Sequence, residues 1–202
     1  MHCRLIAPVA AIGLSADQAS AHAFQSGADH YAQFLEGAAV ILGYPETLLP
    51  LLALGILLSL WQEEGLLRAW PAFLIGLLVG VPLAAMVGTW ITLAIAGTGL
   101  LTAILAAVLP RHVGAEVIAI SLLLGLLTTA ASLEGHGFLE LPVFIHLGIL
   151  FAANLVTASV AGVTRLSMER VTAPWMRILW RIASSWLAAI LTLVLAFTAT
   201  AN

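Results

Sequence analysis

Lysine is absent from this chain, and cysteine occurs once, as Cys3, in 202 residues. Charged residues amount to 8%, against about a quarter in an ordinary soluble domain. The formal charge is −3, so the chain has no basic footprint for nucleic acid, and no partner of that kind is expected. With Cys3 lying in a segment expected to be removed, neither a disulfide framework nor a thiolate metal site can form. Any metal would be held by nitrogen and oxygen. What fills the chain instead is hydrocarbon: 62% of residues are hydrophobic and the mean hydropathy is +1.10. The composition is that of an integral membrane protein.

His2 and Arg4 precede an apolar run from Leu5 to Leu14, followed by polar residues and Ala19-Ser20-Ala21. The run is about half the ~20 residues that cross a bilayer as a helix, and the small residues after it form a cleavage site. Residues 1–21 read as a signal peptide, with an uncleaved interfacial helix as the alternative. Cleavage after Ala21 makes His22 the mature N-terminus and 22–202 a single transmembrane helical domain.

Beyond Gly43, apolar stretches fall near 47–61, 66–87, 90–109, 113–132, 141–163 and 177–199, each bounded by charged residues or by Gly and Pro. The expected fold is all-α: a polytopic membrane protein with six transmembrane helices, preceded by a short polar-faced helix over about 29–44. No fixed-period repeat is evident. Arginine favours cytoplasmic loops. Arg68, Arg111, Arg165, Arg170, Arg177 and Arg181 all fall on or beside inner loops if residue 22 and the C-terminus are outside. His22, His30, His136, His146, Asp29, Glu36, Glu134 and Glu140 then gather at the outer side, with His112 the exception.

Two groups of residues stand out. In the short helix, Asp29, Gln33 and Glu36 recur at i, i+4 and i+7 with His30 and Gly37 beside them, which makes one polar stripe. Asp29 alone reads equally as an N-cap, and His30 alone as an interfacial side chain. Glu36 is past the cap, in apolar surroundings, and needs a cation, a proton or a donor. In the second group, Gly135, Gly137 and Pro142 mark a loop and a helix start. His146 then lies roughly 6 Å inside the membrane, where an ionisable residue is a functional candidate. Below it Asn154 and Thr157 share a face with Ala153 and Ala161. On the preceding span Ser121, Thr128 and Ser132 form a second small, polar stripe. The two stripes either line a path or serve close helix packing, as Gly76 and Gly80 do most simply. Glu134 reads as a solvated loop charge.

Imidazole and carboxylate without thiolate suit divalent nickel, cobalt, zinc or copper. A free His22 amine and imidazole would chelate an ion and pass it to Asp29, His30 and Glu36. The residues Gly27-Ala28-Asp29-His30, downstream of a signal peptide and His22, together with Gly135-His136-Gly137-Phe138-Leu139-Glu140-Leu141-Pro142, resemble the HupE/UreJ family of bacterial membrane proteins. That resemblance implies nickel or cobalt uptake across the bacterial inner membrane, with both mature termini periplasmic. It also implies metal-binding roles for His22, Asp29, His30, His136 and Glu140.

The leading expectation is a secondary permease, not an enzyme. It would admit a divalent transition metal, nickel first, as substrate and hold no permanent cofactor. Glu36 and His146 join the metal ligands, and Gln33, Asn154, Thr157, Ser121, Thr128 and Ser132 line the pathway. No phosphate-binding loop is present in the sequence to couple it to ATP. The alternatives are an accessory subunit of a larger membrane complex and a zinc-dependent intramembrane hydrolase, the latter without its HExxH signature. Membrane lipid is an expected partner, and a homo-oligomer or a membrane-complex partner is compatible.

Overall fold

A computed structural model describes residues 29–62, 64–108, 114–137 and 140–201. The expected signal peptide with its cleavage site, His22, Gly27, Arg111 and His112 lie outside these. Seven α-helices and no strand are found among the described residues: α1 (His30–Gly43), α2 (Pro45–Trp61), α3 (Gly65–Leu83), α4 (Trp90–Val108), α5 (Gly114–Ser132), α6 (Val143–Arg170) and α7 (Trp175–Ala201). A single 3₁₀ turn, Ala84–Met86, ends the α3 span. Helices α3 to α7 are each long and apolar enough to cross a bilayer.

The first span departs from a plain helix. α1 and α2 are bent by 74° at one break, and only together do they pass as a sixth crossing. Pro45 forces the break, because it lacks an amide proton and disfavours helical backbone at Tyr44, which is extended. Thr47 lies beside the carbonyls that the break sets free: its Oγ1 is 3.2 and 3.3 Å from the Val40 and Ile41 oxygens, and 3.0 Å from the Tyr44 oxygen, which already accepts the Leu48 amide at 3.0 Å. Both halves follow α6. Gly37 abuts Ile145, Gly55 abuts Thr157 and Val160, and the Ser59 hydroxyl donates to the Ala161 carbonyl at 2.7 Å. The short helix therefore lies along the bundle as the upper half of a broken span.

Two crossings hold the bundle, and they are built alike. At the α1–α6 crossing a methyl group on Gly37 would strike the Ile145 carbonyl, and one on Gly148 would strike that of Phe34. At the α3–α5 crossing Gly76 meets the Leu122 carbonyl and Gly125 that of Phe73. Each glycine thus faces the carbonyl three residues before its partner glycine. The sequence repeats with the geometry: Phe34-Leu-Glu-Gly-Ala-Ala-Val40 on α1 matches Phe73-Leu-Ile-Gly-Leu-Leu-Val79 on α3 in its Phe, Leu, Gly and Val. Close backbone approach supplies van der Waals contact, which drives helix association where lipid removes the hydrophobic term.

The alternation of spans sorts the charges. Arg68, Arg165, Arg170, Arg177 and Arg181 lie at the ends of α3, α6 and α7 that form one side of the bundle. His30, Glu134, His136, Glu140 and His146 lie at the other. These sides are called the arginine end and the histidine end below.

Gly97, in the middle of α4, offers a control, since nothing comes within 4 Å of a Cβ built there. Gly97→Ala is expected to raise thermal stability in detergent by up to about 1 kcal/mol through helix propensity. Gly148→Ala and Gly125→Ala are expected to lower it by about 1–3 kcal/mol through overpacking. Equal shifts in all three would contradict the crossings described here.

Candidate functional site

The polar face of α1 starts at its cap. Asp29 has extended backbone and its Oδ1 accepts the Ala32 amide at 2.7 Å, so Asp29 does the work of an N-cap. His30 is exposed and stacks on Phe144 at the start of α6, ring centroids 4.3 Å apart. Gln33 is buried on the α6 side, and Glu36, next to the crossing glycine, is half-buried and engaged with a neighbour. Tyr31, Leu35 and Leu42 point outward. Asp29 and His30 thus sit at the N-terminal end of α1, and Gln33 and Glu36 one to two turns along it.

On α6, His146 is half-buried and its Nδ1 lies 3.1 Å from the Pro142 carbonyl oxygen. A carbonyl only accepts, so Nδ1 carries the proton and Nε2 keeps its lone pair for a ligand. His136 is held the same way, Nδ1 3.1 Å from the Glu134 oxygen. The loop between them folds on its own carboxylates. Glu140 accepts the Gly137 amide at 2.6 Å, Gly135 adopts φ 80°, and Glu134 accepts the Thr92 hydroxyl at 3.3 Å. Glu134, expected as a solvated charge, therefore ties this loop to α4. Among the described residues no three of His, Cys, Asp and Glu converge in a geometry that could hold a metal ion. The structure brings His30 to the start of α6, two residues from His146, and leaves the ligand set open there.

Deeper in the bundle, a polar track runs down one face of α6. Asn154 Oδ1 accepts the Trp70 indole N–H at 2.9 Å, while Asn154 Nδ2 donates to the Leu150 carbonyl at 2.8 Å. Thr157 is buried and its Oγ1 has no hydrogen-bond partner among the described residues. Both border a small gap of about 10 Å³ with Leu58, Leu66 and Trp70, at the lower limit for one water. One turn further the track reaches an open cavity of about 180 Å³ lined by Ser59, Gln62, Glu64 and Arg165, among others. The Gln62 Nε2 bordering it is buried and unpartnered. Trp70, Gln62, Ser59 and Arg165 were not legible as site residues, because only the fold sets them beside Asn154 and Thr157.

The second stripe behaves differently. Ser121, Thr128 and Ser132 are buried, and each hydroxyl donates to a carbonyl four residues back, at 2.8, 2.6 and 2.8 Å. α5 packs mainly along α3 and meets α6 only slightly. The two stripes are not set against each other along their length, and these three hydroxyls are spent within their own helix.

The duplicated crossing supplies an internal comparison. Aligning Gly76 with Gly37, and Gly125 with Gly148, places Ala72 opposite Gln33, Ile75 opposite Glu36 and Leu123 opposite His146. The same glycine packing is thus made at α3–α5 with apolar residues at these three positions, the polar contact there being that of Thr129, whose hydroxyl donates to the Leu77 carbonyl at 2.8 Å. Gln33, Glu36 and His146 are not needed to form a crossing.

Helices, apolar spans and crossings together define a multi-pass, all-α membrane protein in contact with lipid. No family model, curated protein or solved structure matches this chain.

The Trp70–Asn154 bond is testable by a double-mutant cycle. Trp70→Phe and Asn154→Leu are expected to show a coupling of about 0.6–1.7 kcal/mol in detergent unfolding, the range for interhelical hydrogen bonds in membranes. Additive effects would mean that the contact contributes nothing.

Proposed function

We propose that the chain is a secondary permease for a divalent transition metal, nickel first and cobalt second, taken up at the histidine end. The observation that carries this reading is the contrast between the two crossings. At three aligned positions one holds Ala72, Ile75 and Leu123, while the other carries Gln33, Glu36 and His146. Ionisable groups are costly within the membrane, so residues that the packing does not require call for a function.

The ligand chemistry follows from the donors. His146 and His136 offer Nε2, Glu36 offers carboxylate oxygen, and Asp29 and His30 stand at the entrance, with His22 as a further donor from the mature N-terminus. Imidazole and carboxylate suit nickel and cobalt. A site assembled from separate elements binds weakly enough to release its ion. The route onward passes Asn154 and Thr157 to the cavity at Ser59, Gln62, Glu64 and Arg165, and is shut between them. The broken first span, which runs along this route, is a common feature of secondary transporters. The reading agrees with what the HupE/UreJ resemblance implies, under which the histidine end would face the periplasm.

A role as subunit of a larger membrane complex draws on α7, whose spanning window is only 11% buried. A stoichiometric partner recovered on purification, with nickel accumulation unaffected, favours that role.

Nickel accumulation by whole cells tests the permease. Glu36→Gln and His146→Ala are each expected to lower it at least about tenfold, the usual cost of losing one ligand or its support, at equal expression. Asp29→Asn keeps the cap, so a loss there separates a ligand role from a capping role. Wild-type accumulation in Glu36→Gln, His146→Ala, Asp29→Ala and His30→Ala would contradict the proposal.

A further inference from the structure

α7 packs on α4 and α2 but hardly on α6. A groove of about 430 Å³ is left between α6, α2 and α7. Ser159, Val160 and Val163 form one wall, Leu52 and Ile56 the floor, and Trp180, Ala183, Trp186, Leu187 and Ile190 the other wall. The lining is hydrocarbon and indole apart from Ser159. Trp180 Nε1 donates to Ser167 Oγ at 2.7 Å, which ties α7 to α6 at the arginine end and closes the groove there. Elsewhere the groove opens sideways to the bilayer. Its volume is within the range of ligand sites, and none of the described residues fills it.

Charge at the closed end identifies the occupant. Arg170 lies seven residues, two turns, beyond Val163 on the same side of α6, and Arg177 lies one turn before Trp180 on α7. Both are exposed and have no partner among the described residues. Their neighbours are already engaged. Arg165 pairs with Glu169 at 2.6 Å, and Arg181 donates to the Ala107 and Val108 carbonyls at 2.7 and 3.2 Å. The one acid on the last turn of α6, Glu169, is therefore neutralised. Two guanidinium groups without a partner among the described residues thus stand beside the closed end of an apolar slot, at the arginine end of the spans.

We propose that this groove is a specific site for an anionic phospholipid, its acyl chain lying between α6 and α7 and its phosphate headgroup held by Arg170 and Arg177. Guanidinium pairs well with phosphate oxygens, and basic residues between spans select anionic headgroups. The lipid completes the α6–α7 interface that the chain leaves unpacked. This site lies at the opposite end from the metal ligands and does not depend on the permease reading.

Native mass spectrometry of the full chain, released from detergent with phosphatidylglycerol or phosphatidylcholine added, tests the site. One phosphatidylglycerol is expected to be retained in preference to phosphatidylcholine by roughly tenfold or more, as two basic residues allow. The Arg170→Gln, Arg177→Gln double variant is expected to bring that ratio close to one. Ser159→Phe, filling the groove from an exposed position, is expected to remove retention of both lipids. Arg68→Gln, which removes an arginine from the same end but away from the groove, is expected to change nothing. Equal retention of the two lipids by the wild type would overturn the proposal. So would an effect of Arg68→Gln matching that of the double variant, or unchanged retention in Ser159→Phe. A dimer abolished by Ser159→Phe, with no lipid bound, would assign the groove to a second copy instead.

Discussion

Backbone contact between helices at paired glycines is the constraint on which the bundle depends. Inside a bilayer, apolar side chains gain little by leaving lipid for protein, so helices associate through close packing and hydrogen bonds. At Gly37–Gly148 and Gly76–Gly125 the absence of a side chain lets one helix lay its backbone on the carbonyls of the other. These contacts position the polar residues of the candidate site. The first crossing pins α1 along the first turns of α6, which places Gln33 and Glu36 beside it and brings His30 over Phe144. The second holds α3 so that Trp70 reaches Asn154 across the bundle.

The broken first span follows from the same arrangement. A straight helix through residues 30–61 would carry α2 away from α6, whereas the 74° bend returns it to Thr157, Val160 and Ala161. Thr47 makes the break tolerable by setting its one hydroxyl donor between the carbonyls of Val40 and Ile41, because freed carbonyls within a membrane must find donors. The polar track along α6 is thereby bounded by α1 above and α2 below. His146 stands near its top, and an open cavity bordered by Ser59, Gln62, Glu64 and Arg165 at its foot.

Much of the architecture was legible in the sequence. Span boundaries followed from the length of apolar runs and from Gly, Pro and Arg between them, and Asp29 and Pro142 marked helix starts that the structure places at Asp29 and Pro142. Periodicity alone set Gln33 on the buried side of α1. Three features needed the fold. Gly37 and Gly148 lie 111 positions apart, so neither looks like half of a contact. The match of residues 34–40 to 73–79 is too short to read as a repeat until both segments make the same crossing. Ser121, Thr128 and Ser132 resembled a path because a stripe's composition does not tell whether its hydroxyls face a neighbour or bond their own helix.

The central claim is that the polar residues at the α1–α6 crossing bind the transported ion, in contrast with their apolar counterparts at α3–α5. Anomalous diffraction from nickel-loaded crystals of the full chain tests it most directly. The account predicts a nickel peak at the histidine end, within bonding distance of His146 Nε2 and a Glu36 carboxylate oxygen. A peak remote from both residues, or no peak at saturating nickel, would contradict it.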